Sequence, residues 1–206
     1  MPTTFDLFGT LVAAERPERP ASAVADALAA RDVPVPDDWA DAYREPHDSV
    51  PEGTELPLPG HVAAALESRG VDADPSAVRA ATLAAFDRPV SVRPGARDAL
   101  AAAREHGPVA VLSNCSVPGL AERALDRADL SVETVVTSVG CGWRKPDPRA
   151  FEAAADALDA APESLVHVGD DRDADGGIEA VGGRAVLLDE TPLESVPSEL
   201  EGIACR

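Results

Sequence analysis

The sequence is poor in aromatic residues and cysteine, and it lacks long apolar runs. Only 3% of its 206 residues are aromatic, so a core must come from the Ala, Val and Leu that dominate its 45% apolar content. Its three cysteines, Cys115, Cys141 and Cys205, form no CxxC pair, which argues against a disulfide scaffold or a structural zinc site.

No apolar run reaches the roughly 18–20 residues that span a bilayer. Because no basic segment followed by an apolar one opens the chain, we expect a cytoplasmic protein without a membrane partner.

Lysine is the scarcest charged residue, and the charge balance is strongly acidic. The chain has 18 basic and 37 acidic residues, which gives a net charge of −19. Such a chain is repelled by phosphate backbones, so nucleic acid is not an expected partner. Lys145 is the only lysine, and this excess of acid with a small-residue core resembles proteins of salt-accumulating halophiles. The one lysine is therefore a candidate for a special role.

Short apolar segments recur along the chain, and each ends where polar residues begin. Runs of about four apolar residues are typical of buried parallel strands. Stretches rich in Ala, Arg and Glu separate them, and this alternation predicts an α/β fold with a doubly wound parallel sheet. The predicted strands are Thr3–Phe5, Val109–Leu112, Thr134–Thr137, Leu165–Val168 and Ala185–Leu188, and the predicted helices of this part are Ala96–His106, Leu120–Arg127, Pro148–Leu158 and Ile178–Gly182.

Residues 13–89 break this rhythm. They hold three helix-like stretches, Ala21–Ala30, His61–Ser68 and Pro75–Phe86, a proline-rich loop over Pro46–Pro59, and no clear strand pattern. We therefore predict a helical domain over residues 13–89, inserted into a core formed by residues 1–12 and 90–206.

Four polar motifs follow the predicted strands. The first is Phe5-Asp6-Leu7-Phe8-Gly9-Thr10-Leu11, the second Ser113-Asn114, the third Lys145 within Gly142–Pro148, and the fourth Gly169-Asp170 with Asp175. Ligands of doubly wound sheets bind beyond the carboxyl ends of the strands, which is where these residues fall. In type and order the motifs resemble those of the haloacid dehalogenase superfamily, and the helical insertion resembles its C1-type cap.

The resemblance implies a Rossmann-like core and a hydrolase that acts on a small anionic substrate. Asp6 would be the nucleophile, and a carboxylate can attack phosphorus to form an aspartyl-phosphate. Mg²⁺ would be held by Asp6, Asp170 and the backbone carbonyl of Phe8. Lys145 and Ser113, with Asn114 beside it, would neutralise and orient the phosphate. Asp171 and Asp175 compete as the further acid at the metal, and Thr10 belongs to the predicted substrate site.

One residue departs from the phosphatase pattern. Phosphatases of this superfamily usually carry a second Asp two residues after the nucleophile, whereas this chain has Phe8, as in metal-independent 2-haloacid dehalogenases. The acidic Gly169-Asp170-Asp171 favours the metal-dependent phosphatase instead, because carboxylates beside Asp6 without a metal would repel one another. A non-catalytic phosphate-binding module is the third possibility.

Substrate choice is expected to depend on the inserted domain. Arg44 is the candidate there for contacting an anionic group of the substrate. The pattern is compatible with either a monomer or a homodimer.

Overall fold

A computed structural model describes residues 1–205. Five parallel strands form its main sheet, and two short strands form an antiparallel pair. In chain order the strands are β1 (Thr3–Phe5), β2 (Val12–Ala14), β3 (Val90–Val92), β4 (Val109–Ser113), β5 (Thr134–Thr137), β6 (Val166–Gly169) and β7 (Arg184–Leu187). The main sheet has the order β5-β4-β1-β6-β7, so the first strand lies at its centre. This confirms the predicted doubly wound α/β fold.

The helices alternate with the strands of the main sheet, as predicted, and four of them fall within residues 13–89. None of the helices in residues 1–205 is long and apolar enough to cross a membrane. In chain order the helices are α1 (Pro20–Ala29), α2 (Trp39–Ala42), α3 (Leu58–Glu67), α4 (Pro75–Phe86), α5 (Ala96–His106), α6 (Leu120–Ala128), α7 (Ser138–Cys141), α8 (Pro148–Ala157), α9 (Arg172–Asp175) and α10 (Val196–Ala204).

Both faces of the main sheet are buried. In β4, Val109 and Val111 belong to one apolar cluster with α5 and α6, while Ala110 and Leu112 belong to another with α8. Because side chains of a strand point alternately to its two faces, a strand covered on both sides reads as a continuous apolar run. The polar residues that follow such runs are thereby held at one edge of the sheet.

Helices α1–α4 pack around an apolar cluster of their own. Its buried side chains include Leu28, Trp39 and Leu66, and the Trp39 indole Nε1 donates to the carbonyl of Ala21 at 2.7 Å. The segment from 44 to 57 between α2 and α3 contains no helix or strand, in agreement with its proline content. The boundaries between the core and the inserted helical domain, at residues 12/13 and 89/90, stay a prediction.

The structure corrects three details of the sequence reading. Strands β2 and β3 were not predicted, because each has only three residues, too few to show a pattern, and the two are stabilised by pairing with each other. The predicted helix Ile178–Gly182 is a 3₁₀ helix, Gly176–Val181. Helices α2, α7 and α9 have four residues each and were missed, as was α10.

Candidate active site

The candidate site is a cleft of about 160 Å³ at the carboxyl edge of the main sheet. Asp6 directly follows β1, Ser113 ends β4 and Asp170 directly follows β6. Since β4, β1 and β6 are neighbouring parallel strands, these three residues meet at the same edge. Eight of the ten predicted site residues line the cleft, and Arg16 and Ala174 complete it. The eight are Asp6, Phe8, Ser113, Asn114, Lys145, Asp170, Asp171 and Asp175.

Lys145 is buried between two carboxylates. Its Nζ donates to Asp6 Oδ1 at 2.9 Å and to Asp175 Oδ1 at 2.6 Å, and its side chain is 1% exposed. Burial by itself lowers the pKa of Lys145, but the charges of Asp6 and Asp175 outweigh it, and the pKa lies above its ordinary value. The ammonium is therefore a permanent positive charge beside Asp6.

The pKa of Asp6 is raised as well, which for a carboxyl group disfavours the charged form. Burial is the main cause that raises the pKa of Asp6 to about 6; the charges of Asp175 and Asp170 add to it and Lys145 opposes it. The lining of the cleft thus has two basic side chains, Lys145 and Arg16, and four carboxylates. This excess of negative charge is the electrostatic condition under which a divalent cation binds most favourably.

The residues that could hold such a cation are Asp6 and Asp170. No group of three or more His, Cys, Asp or Glu side chains within residues 1–205 has the arrangement of a metal site. Mg²⁺ is nevertheless commonly bound by one or two carboxylates with waters and substrate oxygens. Two carboxylates in one cleft, with a lysine that balances only part of their charge, fit that chemistry.

Asp170 is held in place by its neighbours in the first motif. The Thr10 hydroxyl, fully buried, donates to Asp170 Oδ1 at 2.8 Å. Gly9 has φ of +105°, and a Cβ there would lie 2.4 Å from Asp170 Oδ2, so only glycine lets the loop pass this close. Thr10 does not line the cleft; the structure gives it the role of orienting Asp170 rather than touching substrate.

The two competing acids of the fourth motif have different surroundings. Asp171 is the N-cap of α9 and accepts from the backbone N–H groups of Asp173 and Ala174. Asp175 accepts from Lys145 and from His167 at Oδ1 and from the backbone N–H of Asp171 at Oδ2. Burial tends to raise the pKa of Asp175, but the His167 hydrogen bond and the Lys145 charge bring it below its usual range. Asp175 is thus engaged in holding Lys145.

Ser113 and Asn114 are adjacent in the sequence, but their side chains differ in hydrogen bonding. Ser113 is 2% exposed, and among the described residues its hydroxyl has no hydrogen-bond partner, so it is available to an oxygen of a ligand. Both ends of the Asn114 amide bond the backbone of Lys145: Nδ2 donates to its carbonyl at 2.9 Å, and Oδ1 accepts from its N–H at 2.8 Å. Asn114 therefore fixes the loop that carries the lysine.

The predicted anion contact Arg44 lies elsewhere. Its guanidinium forms an ion pair with Asp41 at 2.7 Å, and its side chain is 69% exposed. Arg44 does not line the cleft, whereas Arg16 does. The prediction chose Arg44, because the sequence does not show how residues 13–89 lie over the sheet, and that placement decides which arginine reaches the cleft.

The sequence reading missed His167. It lies in β6 and is fully buried, with Nδ1 at 2.8 Å from the Thr4 hydroxyl and Nε2 at 2.9 Å from Asp175 Oδ1. Burial, together with the Lys145 charge, lowers the pKa of His167 to about 4 against the opposing effect of Asp175. The signal in the sequence was a lone histidine inside an otherwise apolar strand, two residues before Gly169.

Comparison with known proteins gives the same fold and family. The family model of haloacid dehalogenase-like hydrolases matches residues 4–180. A phosphatase of Mycobacterium tuberculosis, MT3486, is 40% identical over 101 residues, which is 48% of this chain and 46% of that protein. The matched part is thus less than half of that phosphatase.

Solved structures of similar fold include both chemistries. A 2-haloacid dehalogenase from Pseudomonas syringae has a TM-score of 0.69 at 24% identity and covers 98% of each chain. A haloacid dehalogenase family enzyme from Bacteroides thetaiotaomicron, in complex with magnesium and inorganic phosphate, has a TM-score of 0.59 at 18% identity over 90% of this chain and 92% of that one. At these identities the likeness shows the fold alone, whereas the family match extends over most of the sequence. The chain belongs to the haloacid dehalogenase-like hydrolase family.

Proposed function

We propose that this hydrolase is a Mg²⁺-dependent phosphatase that acts on a small phosphorylated metabolite. The observation that carries the proposal is that Asp6 and Asp170 line the same cleft while Lys145 balances only part of their charge. A metal-free reaction would leave these carboxylates repelling one another beside the attacking group. The relative MT3486, itself a phosphatase, supports this choice.

In the proposed reaction, an Asp6 carboxylate oxygen attacks phosphorus, and the bond from phosphorus to the ester oxygen breaks. The resulting aspartyl-phosphate is then hydrolysed by water, which releases inorganic phosphate and restores Asp6. Lys145 and the free Ser113 hydroxyl hold phosphate oxygens and stabilise the charge that develops on them. Bound Mg²⁺ supplies further positive charge, so that the anionic attacker and the phosphate can approach.

Phe8 limits the proposed reaction. It lies in the cleft two residues after Asp6, where it has no proton to donate to the departing oxygen. A positioned acid contributes about 10²- to 10⁴-fold in rate. The proposed substrates are therefore phosphates whose leaving group departs without protonation.

A second cavity provides space for the rest of such a substrate. It measures about 280 Å³, and Glu55, His61, Ser116 and Arg144 are among its lining residues. Ser116 comes three residues after Ser113, and Arg144 directly precedes Lys145, so the two loops that supply catalytic residues also line this cavity. Its lining combines these polar side chains with the apolar Leu56 and Leu58, which suits an organic group of mixed polarity.

Metal-independent dehalogenation is the second candidate, favoured by Phe8 at that position. The two are separated by measuring phosphate release from phosphoesters and halide release from 2-haloacids, each with added Mg²⁺ and with EDTA, at molar salt. We expect phosphate release that EDTA abolishes and excess Mg²⁺ restores. Halide release that persists in EDTA would overturn the proposal. Asp6→Asn is the control, because it removes the nucleophile of either reaction, and Asp26→Asn, which removes the same charge from an exposed position, should remain active.

A further inference from the structure

His167 is a buried titratable group that the proposed reaction does not use. It pairs in register with Thr4 of the central strand, so the two side chains lie on the same face of the sheet. The Thr4 hydroxyl lies 2.8 Å from Nδ1, and Asp175 Oδ1 lies 2.9 Å from Nε2. Phe151 and the imidazole form a T-shaped pair with ring centroids 5.4 Å apart. The ring is thus held on three sides.

These contacts determine which ring nitrogen carries the proton. An ionised carboxylate only accepts hydrogen bonds, so the short contact with Asp175 requires a proton on Nε2. The neutral ring then has an unprotonated Nδ1, which accepts from the Thr4 hydroxyl. Lys145 Nζ, 3.4 Å from Nε2, already donates to Asp6 and Asp175 and finds no acceptor on the ring. Burial keeps the pKa of His167 low, in agreement with a neutral ring.

We propose that His167 is a positioning residue whose Nε2–H, oriented by Thr4 at Nδ1, fixes the Asp175 carboxylate and through it holds Lys145 against Asp6. Asp175 Oδ1 receives both the Nε2–H and the Lys145 ammonium, so displacement of the imidazole lets this oxygen and the lysine move together. Hydrogen bonds to a residue that itself holds a substrate-contacting group fix the position of that group. The effect on turnover rests on the proposed function, whereas the tautomer does not.

The tautomer is tested directly by ¹⁵N–¹H NMR of the histidine side chains in the intact protein at neutral pH. The chain has four histidines, and the signals of His167 are those lost in His167→Gln. We expect a proton on Nε2 and none on Nδ1. In Thr4→Val the Nδ1 signal should shift because its donor is gone, while Thr4→Ser should leave it close to that of the natural protein. A proton on Nδ1, or on both nitrogens, overturns the proposal.

Kinetics on an aryl phosphate with Mg²⁺ test the consequence for the reaction. Thr4→Val should lower kcat by about 3- to 10-fold, the worth of one hydrogen bond, with KM nearly unchanged, and Thr4→Ser should restore kcat. His167→Gln, whose amide can donate from near the position of Nε2, should keep more kcat than His167→Leu. Equal kcat values for Thr4→Val and the natural protein would overturn the positioning role.

The two proposals fail in different ways. If the natural protein hydrolyses no phosphate ester, the proposed function is wrong, and the NMR result still decides the tautomer. If His167→Leu does not fold, the Thr4→Val and Thr4→Ser pair decides, because valine has nearly the shape of threonine and fits the buried strand.

Discussion

Replacing Asp6 by asparagine should make the protein more stable while it abolishes turnover. In the folded chain the pKa of Asp6 is raised to about 6, mainly by burial, from its ordinary value of 3.8. Between these two values the folded chain binds more protons than the unfolded chain, so stability falls as the pH rises through this window. The cost is absent below about pH 4 and complete above about pH 6. At about 1.4 kcal/mol for each tenfold change, it amounts to roughly 3 kcal/mol.

Asparagine resembles the protonated carboxyl and carries no charge to bury. Its Oδ1 can still accept from the Lys145 ammonium, so the lysine keeps two oxygen partners. In EDTA at pH 8, Asp6→Asn should therefore unfold with a free energy about 3 kcal/mol larger than that of the natural protein. For a domain of this size that corresponds to roughly 6–12 °C in Tm.

The assay is urea unfolding of both proteins from pH 4 to pH 8. The gain should be near zero at pH 4, grow up to about pH 6 and then level off. Asp26→Asn removes the same charge from an exposed position in α1 and should show no such pH-dependent gain. A variant less stable than the natural protein at pH 8, or a gain that is independent of pH, would refute the reasoning.

Three further predictions concern other residues of the cleft. Asn114→Ala should lower the free energy of unfolding by about 1–3 kcal/mol and lower kcat, because it releases both hydrogen bonds to the Lys145 backbone; urea unfolding and steady-state kinetics measure this. With Phe8 in place, aryl phosphates should be hydrolysed faster than alkyl phosphates by 10²-fold or more, and equal rates would show that another acid is present. Arg16→Gln should raise KM several-fold, whereas Arg19→Gln, outside the cleft, should not.

The strand pattern was sufficient to predict where the candidate catalytic groups meet. An apolar run that ends in a polar residue marks the carboxyl end of a buried strand, and parallel neighbours bring those ends together. Asp6, Ser113 and Asp170 follow from this rule. The motif order added Lys145, whose loop lies outside any strand.

Contacts between segments that are distant in the sequence could not be predicted from the pattern of apolar runs. The part played by His167 depends on its register with Thr4 and on the position of Asp175, neither of which its own strand reveals. The role of Asp171 depends on a four-residue helix too short to show a period. Asn114 looked like a ligand of the substrate because its bonding partner lies 31 residues further along the chain.

Composition also pointed to the site, through the single lysine. The chain has one lysine and one asparagine, and they are hydrogen-bonded to each other inside the cleft. Arginine serves the surface of this acidic protein well, since exposed ion pairs such as that of Arg44 need only charge. In the buried cleft a compact ammonium donates to two carboxylates at 2.6 and 2.9 Å, and a guanidinium there would be larger, planar and different in geometry. Bonding both the N–H and the C=O of one residue requires a side chain with donor and acceptor side by side, which is an amide. The one lysine and the one asparagine of this chain thus occupy positions whose geometry suits these two residue types better than the common ones.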